Sequence, residues 1–346
     1  MAVWLARAGK DGEHEERFMS ENRIFCNWNR IQDLDLKTVK TAEDIKMILR
    51  NYNPQDPERR IGNWASQIYA FVANMQIGEL VVVPRHGKGS VAIGEITSAH
   101  QYDAKGPEMY RHFRTVRWLN QSLPRTAFEP DLLHSFSGLM SIYQIHAEDP
   151  EKRIKTVVGS GGRASKETAD AKTGEGEDVA TGSDEIYDLE QDGYDQIARM
   201  IIRKYKGDRM ELLVAAILKA QGYLTFQSPR GRDKGVDLLA APGPLGFGHP
   251  RICVQVKATE GPVDRPTLDQ LIGTMHNVGA EQGLLVSWGG FTAAVDGVVA
   301  QHFFKVRVWD QRRLIEELLS SYAKLDEEIR AELPLKQIWA LAGVEE

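Results

Sequence analysis

Apolar positions along this chain fall into two regimes separated by a stretch that has almost none. In the first 155 residues the runs are short and β-branched: Glu79–Pro84 (ELVVVP), Val91–Thr97 (VAIGEIT) and Thr115–Leu119 (TVRWL) predict strands of a small sheet or barrel. Helical spacing interrupts them at Ala42–Asn51 and Trp64–Met75, so this region reads as α+β. After residue 184 the period changes. Glu185–Tyr205 repeats its apolar residues at Ile186, Leu189, Ile197, Ile201 and Tyr205, and a second helix over Asp208–Gln221 ends at Gly222. Strands Val236–Ala240, Ile252–Ala258, Gly283–Ser287 and Lys305–Trp309 then alternate with helices Thr267–Asn277, Thr292–Phe303 and Arg312–Leu325. That alternation predicts an α/β fold, a sheet with helices on its faces.

Between the two regimes, Val157–Ser183 is rich in Gly, Ser, Thr and charge and has too little apolar surface to order itself, which predicts a flexible linker. The expected domains are therefore 1–155, a linker over 156–184, 185–325, and a helical extension over 326–346. A length of 346 residues agrees with more than one core.

Charge sharpens this division. The net charge of −6 is concentrated in residues 156–195, where eleven acids face three bases and contribute −8; the rest of the chain carries +2. A nearly neutral body neither demands nor forbids a phosphate-binding face. No run approaches the roughly 18 apolar residues of a membrane span, and the N-terminus turns polar where a signal core would continue, so a soluble, cytoplasmic protein with no membrane partner is expected. Cys26 and Cys253 have no CxxC partner, which excludes a thiolate zinc site and favours two small buried residues. Gly87-Lys88-Gly89-Ser90 lacks the first glycine of a phosphate-binding loop, so no ATP motif is present.

Candidate chemistry concentrates in the second half. In Cys253-Val254-Gln255-Val256-Lys257 the strand period places Gln255 and Lys257 on one face of an otherwise apolar strand. Burying an amide and a lysine there is costly unless they have a task. Upstream, Gly231–Asp237 ends in a carboxylate at the start of another strand, and the turn-rich connection through Pro242, Gly243, Pro244, Gly246, Gly248 and Pro250 predicts a hairpin that brings Asp237 beside Gln255. Phosphodiester hydrolysis needs a hard cation on oxygen ligands and a group that orients water and offsets negative charge. Asp237, the Gln255 amide oxygen and the Val256 carbonyl suit the first task, and Lys257 suits the second. Glu211 stands in the apolar stretch Met210–Leu218, where a buried carboxylate would be out of place without a metal or supporting role. Singly, Lys257 could snorkel, Asp237 cap a turn and Glu211 pair with a base. His249, His276 and His302 have no metal spacing, and Ser287 has no neighbouring histidine to activate it.

Taken together, Met210-Glu211-x-x-Val214-x-x-Ile217-Leu218, Gly222-Tyr223, Asp233-x-Gly235-Val236-Asp237 and Val254-Gln255-Val256-Lys257 resemble the Mrr-type restriction endonucleases of the PD-(D/E)xK superfamily. The likeness continues through Gly279-Ala280-x-x-Gly283-Leu284-Leu285-Val286 and Phe291-Thr292 to Trp309-Asp310, covering roughly residues 206–320. It implies a restriction-endonuclease-like mixed sheet with helices on both faces, Mg2+ as cofactor with Mn2+ as substitute, and DNA as partner. It also implies metal binding by Asp237 and Gln255, catalysis by Lys257, and assistance from Glu211; Gln270 resembles a helix glutamine that some relatives place near the site. Gln255 where the superfamily usually has an acid is the hallmark of the Mrr branch.

In the N-terminal region Trp4, Trp28, Trp64 and Trp118 are interleaved with Arg7, Arg30, Arg111, Arg114, Arg117 and Arg125. Aromatics beside arginines can stack an extruded base and hold its phosphates, although tryptophans more often fill cores. Val3-Trp4-x-x-Arg7, Asn27-Trp28, Ile77–Val82, Ala92–Ile96 and Val116-Arg117-Trp118 are similar to EVE and PUA-like reader domains, a small-barrel fold, over about residues 1–150. That resemblance implies a modified-base pocket drawn from Trp28, Trp64, Trp118, Arg7 and Arg117, with a generic regulatory or dimerisation module as the alternative. The whole chain then reads as a type IV-like, phage-defence endonuclease that works as a homodimer or higher homo-oligomer, because cutting both strands needs two active sites. The competing readings are a structure-specific, RNA-directed or small-nucleotide-activated nuclease, and a non-catalytic nucleic-acid-binding module.

Overall fold

The computed structural model describes residues 1–162, 188–228, 236–259 and 261–339. Two compact units divide the chain, Met1–Asp192 and Gly193–Trp339, and each is described by itself.

The first unit is built on a sheet whose strands run in the order β2-β6-β4-β3-β1-β7, with β5 added to β6. These are β1 (Val3–Ala6), β2 (Arg23–Phe25), β3 (Leu80–Arg85), β4 (Ser90–Ile96), β5 (Gln101–Tyr102), β6 (His112–Pro124) and β7 (Ile142–Gln144). Side-chain parity explains why ELVVVP reads as a continuous apolar run. Leu80 and Val82 join Val3 and Leu5 in a core on one face, while Val81 and Val83 join Trp4 and Ala6 in a core on the other. Helices α1 (Glu15–Ser20), α2 (Ala42–Tyr52) and α3 (Glu58–Tyr69) contribute to the second of these cores, and α4 (Pro130–Phe136) and α5 (Pro150–Gly159) to the first. A strand buried on both faces loses the alternating pattern.

Two details differ from the sequence expectation. The helix expected over Trp64–Met75 begins earlier, at Glu58 after Pro57, and passes at Ala70 into a π-helical turn through Asn74. Two carbonyls of that turn are met by Arg114, almost fully buried, whose guanidinium donates to Phe71 O at 2.6 Å and Val72 O at 3.1 Å and also to Ser98 O, after β4, at 3.1 Å. The expected linker start at Val157 is helical, since α5 runs through Gly159; residues 163–183 of that segment lie outside the described residues. The small barrel is not borne out either: among the described residues the pairing path ends on β2 and β7, and these edges do not pair with each other.

The second unit carries a five-stranded mixed sheet in the order β12-β11-β10-β9-β8. Strands β8 (Tyr223–Gln227), β9 (Leu238–Pro242) and β10 (Ile252–Lys257) are antiparallel neighbours, whereas β10, β11 (Gln282–Ser287) and β12 (Val306–Trp309) are parallel. Helices cover both faces. Val254 and Val256 pack with residues of α7 (Arg209–Ala220) and α10 (Gln311–Ser321), including Leu213, Ile217, Leu314 and Ile315. Cys253 and Leu285 pack with Leu268, Leu271 and Met275 of α8 (Arg265–Val278) and Val295 and Val298 of α9 (Ala293–Gln301). Helix α6 (Leu189–Lys204) precedes α7, and a short α11 (Glu327–Glu332) follows α10. No described helix is long and apolar enough to cross a membrane.

Strand β8 went unread in the sequence because its exposure is inverted. Leu224 and Phe226 lie half or more exposed on this edge strand, while Tyr223 and Thr225 are half-buried. An edge strand with its apolar residues outward does not show the inward-apolar alternation by which strands are recognised.

Candidate active site

Strand register builds the site. The β9–β10 ladder pairs Ala240 with Ile252, Leu239 with Cys253 and Leu238 with Val254. One step further along the same register sets Asp237 opposite Gln255, as the hairpin reading expected. The junction is tied by backbone: Asp237 N–H donates to Val254 O at 3.1 Å, and Ser228 N–H donates to Asp237 O at 3.0 Å. The Asp237 carboxylate accepts from Val256 N–H at 2.6 Å. This charge-assisted bond fixes the carboxylate beside the middle of QVK.

Parity decides which side chains share a face. Val254 and Val256 face the α7 core, so Cys253, Gln255 and Lys257 project toward the α8 side. Gln255 is 2% exposed and its Oε1 is buried without a hydrogen-bond partner. Lys257, at the strand end, is half-buried and pairs in register with the fully buried Ser287 of β11. Burial and, after it, the Asp237 charge push the Cys253 thiol up to about 11. The thiol is therefore inert, as expected of a small buried residue, and Cys26 is buried too, its thiol also raised by burial.

The structure thus brings Asp237, Gln255, Val256 and Lys257 together, and it places the other two candidates differently. Glu211 lies in the first turn of α7, on the opposite face of the sheet from Gln255, and it is half-buried instead of enclosed. The expectation of a carboxylate stranded in the core is corrected here: Leu213–Leu218 are buried, but the helix turns Glu211 and Leu212 toward its open side. Glu211 still stands at the same end of the sheet as Asp237, because its Oε2 accepts from Gln227 Nε2 at 2.9 Å and Gln227 pairs with Leu238 beside Asp237. Gln270 is exposed on α8, and its backbone carbonyl accepts from Thr274 Oγ1 at 2.9 Å. The turn Gly231–Gly235 lies outside the described residues. Ser287 donates to Gly290 O at 2.8 Å, and His249 pairs with Glu281 at the surface.

The donor set suits a hard divalent cation. Among the described residues no three His, Cys, Asp or Glu side chains cluster as a metal site. What Asp237, Gln255 and Val256 offer instead is one carboxylate, one amide oxygen and one backbone carbonyl, all oxygen. The unpartnered Gln255 Oε1 is the particular fit, being an acceptor already stripped of water.

In the first unit the reader candidates are dispersed among structural contacts. Trp28, Trp64 and Trp118 are all half-buried against one core. The guanidinium groups of Arg30 and Arg60 lie 4.7 and 5.8 Å from the Trp64 ring centre, and both pair with Asp56. Trp118 lies over Gly94, where a Cβ would come within 2.9 Å of its ring, and its Nε1 is buried without a partner. Arg7 donates through Nε and Nη2 to Gly138 O, at 2.9 and 2.7 Å, and Arg117 pairs with Glu95 at 2.8 Å. Trp4, by contrast, is core and donates to Glu79 at 2.7 Å.

Comparison with known proteins agrees with the division. Residues 202–318 match a family model described as restriction endonuclease, and residues 3–146 match one described as a domain of unknown function. The C-terminal unit therefore carries a restriction-endonuclease catalytic domain, a nuclease domain. The N-terminal match does not bear out the EVE or PUA resemblance. No curated protein matches the chain. Among solved structures, the chain is similar to a protein of unknown function, AF1548, at 15% identity over 36% of this chain and 77% of that one, with a TM-score of 0.27. It is also similar to the DNA modification-dependent restriction endonuclease AspBHI, at 14% identity over 81% and 75%, TM-score 0.34. The MspJI restriction endonuclease in complex with a 27-mer oligonucleotide matches at 13% identity over 94% and 70%, TM-score 0.31.

Proposed function

We propose that the chain is a Mg2+-dependent DNA endonuclease of restriction type, with Mn2+ as an alternative cation, that acts on foreign DNA carrying modified bases. The observation that carries the catalytic reading is the buried, unpartnered Gln255 Oε1 one register step from Asp237 and on the same face as Lys257. Asp237, Gln255 and the Val256 carbonyl would hold the cation. A divalent cation bound there supplies Lewis-acid polarisation of a phosphoryl oxygen. The Lys257 ammonium donates a hydrogen bond to the attacking water and offsets the charge that develops on the phosphorus oxygens. The Val256 N–H holds the Asp237 carboxylate in place while this happens.

In this reading the first unit senses the modification and residues 163–183 join it to the nuclease. The half-buried Trp28 and Trp118 support an aromatic reading surface. Trp64 supports it less, with two guanidinium groups already over its ring. Two nuclease units acting together would cut both strands, so a homodimer or a transient pair on DNA belongs to the proposal.

The test uses matched plasmids carrying cytosine, methylcytosine, hydroxymethylcytosine or phosphorothioate linkages, with Mg2+ or Mn2+. Cleavage of one class and its loss in Lys257→Ala are the expected results. Equal cutting of every plasmid would remove the modified-base reading, and undiminished cutting by Lys257→Ala would remove the active site.

A further inference from the structure

Gln227 belongs to none of the motifs that mark the nuclease domain, yet it stands where helix α7 meets the Asp237 junction. Its Nε2 donates to Glu211 Oε2 at 2.9 Å. The next residue, Ser228, donates its N–H to Asp237 O at 3.0 Å, and Asp237 in turn accepts from Val256 N–H. Two hydrogen bonds, joined through the backbone at the end of β8, therefore link the acid on one face of the sheet to Asp237, and a third ties the Asp237 carboxylate to Val256. Strand β8 is an edge strand, open to solvent beyond β9, and Gln227 itself is exposed. Holding an exposed amide against a half-buried carboxylate costs side-chain entropy and returns little stability. The interaction is placed where it can do something else.

We infer that Gln227 is a positioning residue for the cation site: it fixes the Glu211 carboxylate at the catalytic end of the sheet and, through Ser228, the strand junction that presents Asp237. The inference rests on the nuclease reading given above. The amide suits the task because it donates to a carboxylate without neutralising it. A lysine or arginine at residue 227 would instead add a positive charge beside the site. Outer hydrogen-bond partners of this kind typically contribute about 10–100-fold in metal affinity or activity.

The experiment measures Mn2+ binding by the full-length chain in titration calorimetry, with cleavage as a second readout. Gln227→Ala is expected to weaken Mn2+ binding by about tenfold, and Gln227→Glu, which sets a second carboxylate against Glu211, to weaken it in the same direction. In a Glu211→Gln background, Gln227→Ala should add no further loss, because the two residues act as one unit. Thermal unfolding should be unchanged in the Gln227 variants, since the side chain is exposed. Unchanged Mn2+ affinity in both Gln227 variants, or losses that add fully in the double variant, would overturn the inference. Those outcomes leave the nuclease reading standing as long as the wild type binds Mn2+ and Lys257→Ala is inactive. A wild type that binds no Mn2+ would remove both.

Discussion

The Oε1 atom of Gln255 is buried without a hydrogen-bond partner, and an amide acceptor left in that state costs about 1–3 kcal/mol. The cost persists because the cation proposed at Asp237 would remove it. Gln255→Leu keeps the volume and deletes the polar atoms, so the apo protein should become more stable by about 1 kcal/mol. For a unit of this size that is a rise of roughly 2–4 °C in the midpoint of thermal unfolding. Cleavage should fall to background in the same variant. A midpoint that drops would mean that the amide is satisfied in solution by water. Gly94 shows the opposite relation between residue and fold. A Cβ there would lie 2.2 Å from Val116 Cγ1 and 2.9 Å from the Trp118 ring, neither of which can yield within a sheet buried on both faces. Gly94→Ala should therefore destabilise the first unit by about 1–3 kcal/mol, read as a lower denaturation midpoint with Mn2+ binding unaltered.

At the scale of elements, β6 joins a buried polar network to the loop that carries Trp28. His112, fully buried, is within 2.9 Å of Ile31 O through Nε2 and within 2.9 Å of His100 Nε2 through Nδ1, with Tyr102 stacked on it at 4.8 Å. Desolvation, and then the His112 charge, push His100 down to about 4; desolvation also lowers His112. Both rings are therefore neutral in the fold, whereas the unfolded chain protonates them near 6.5. The unfolded state binds more protons in this window, so stability is full above about pH 6.5 and declines as the pH falls toward 4. Unfolding followed between pH 7.5 and 4.5 should show that decline, and His100→Phe should flatten it; an unchanged slope would show that the pair does not titrate on unfolding. The same elements show what could be read from sequence. The QVK strand and its hairpin were legible because two polar side chains at a spacing of two interrupt an apolar run, and register then follows from the turn. Strand β8, and Gln227 with it, was not legible, since an edge strand with Leu224 and Phe226 outward leaves no alternation to find. Glu211 was placed in the core because α7 is apolar almost all round, and composition alone does not say which way one residue of its first turn faces.

Across the whole molecule, each unit has a pair of core clusters of its own, which is the condition for units that fold separately. The charge distribution points to a division of labour. Residues 156–195 carry −8 and the remainder +2, so attraction to phosphate is weak outside that segment and opposed within it. A protein so constituted gains little from non-specific DNA binding, whose strength comes from the number of phosphates neutralised by Lys and Arg. Recognition by the first unit would then have to bring the nuclease to its substrate. This makes a separable prediction: residues 1–162 expressed alone should retain preferential binding to the cleaved class of modified duplex, measured by competition at fixed salt. Residues 193–339 alone should bind Mn2+ as the full chain does yet cut modified and unmodified plasmids equally, and much more slowly at the same concentration. Preference retained by the nuclease unit alone would move the reading of the modification into the restriction-endonuclease domain and leave the first unit without that task.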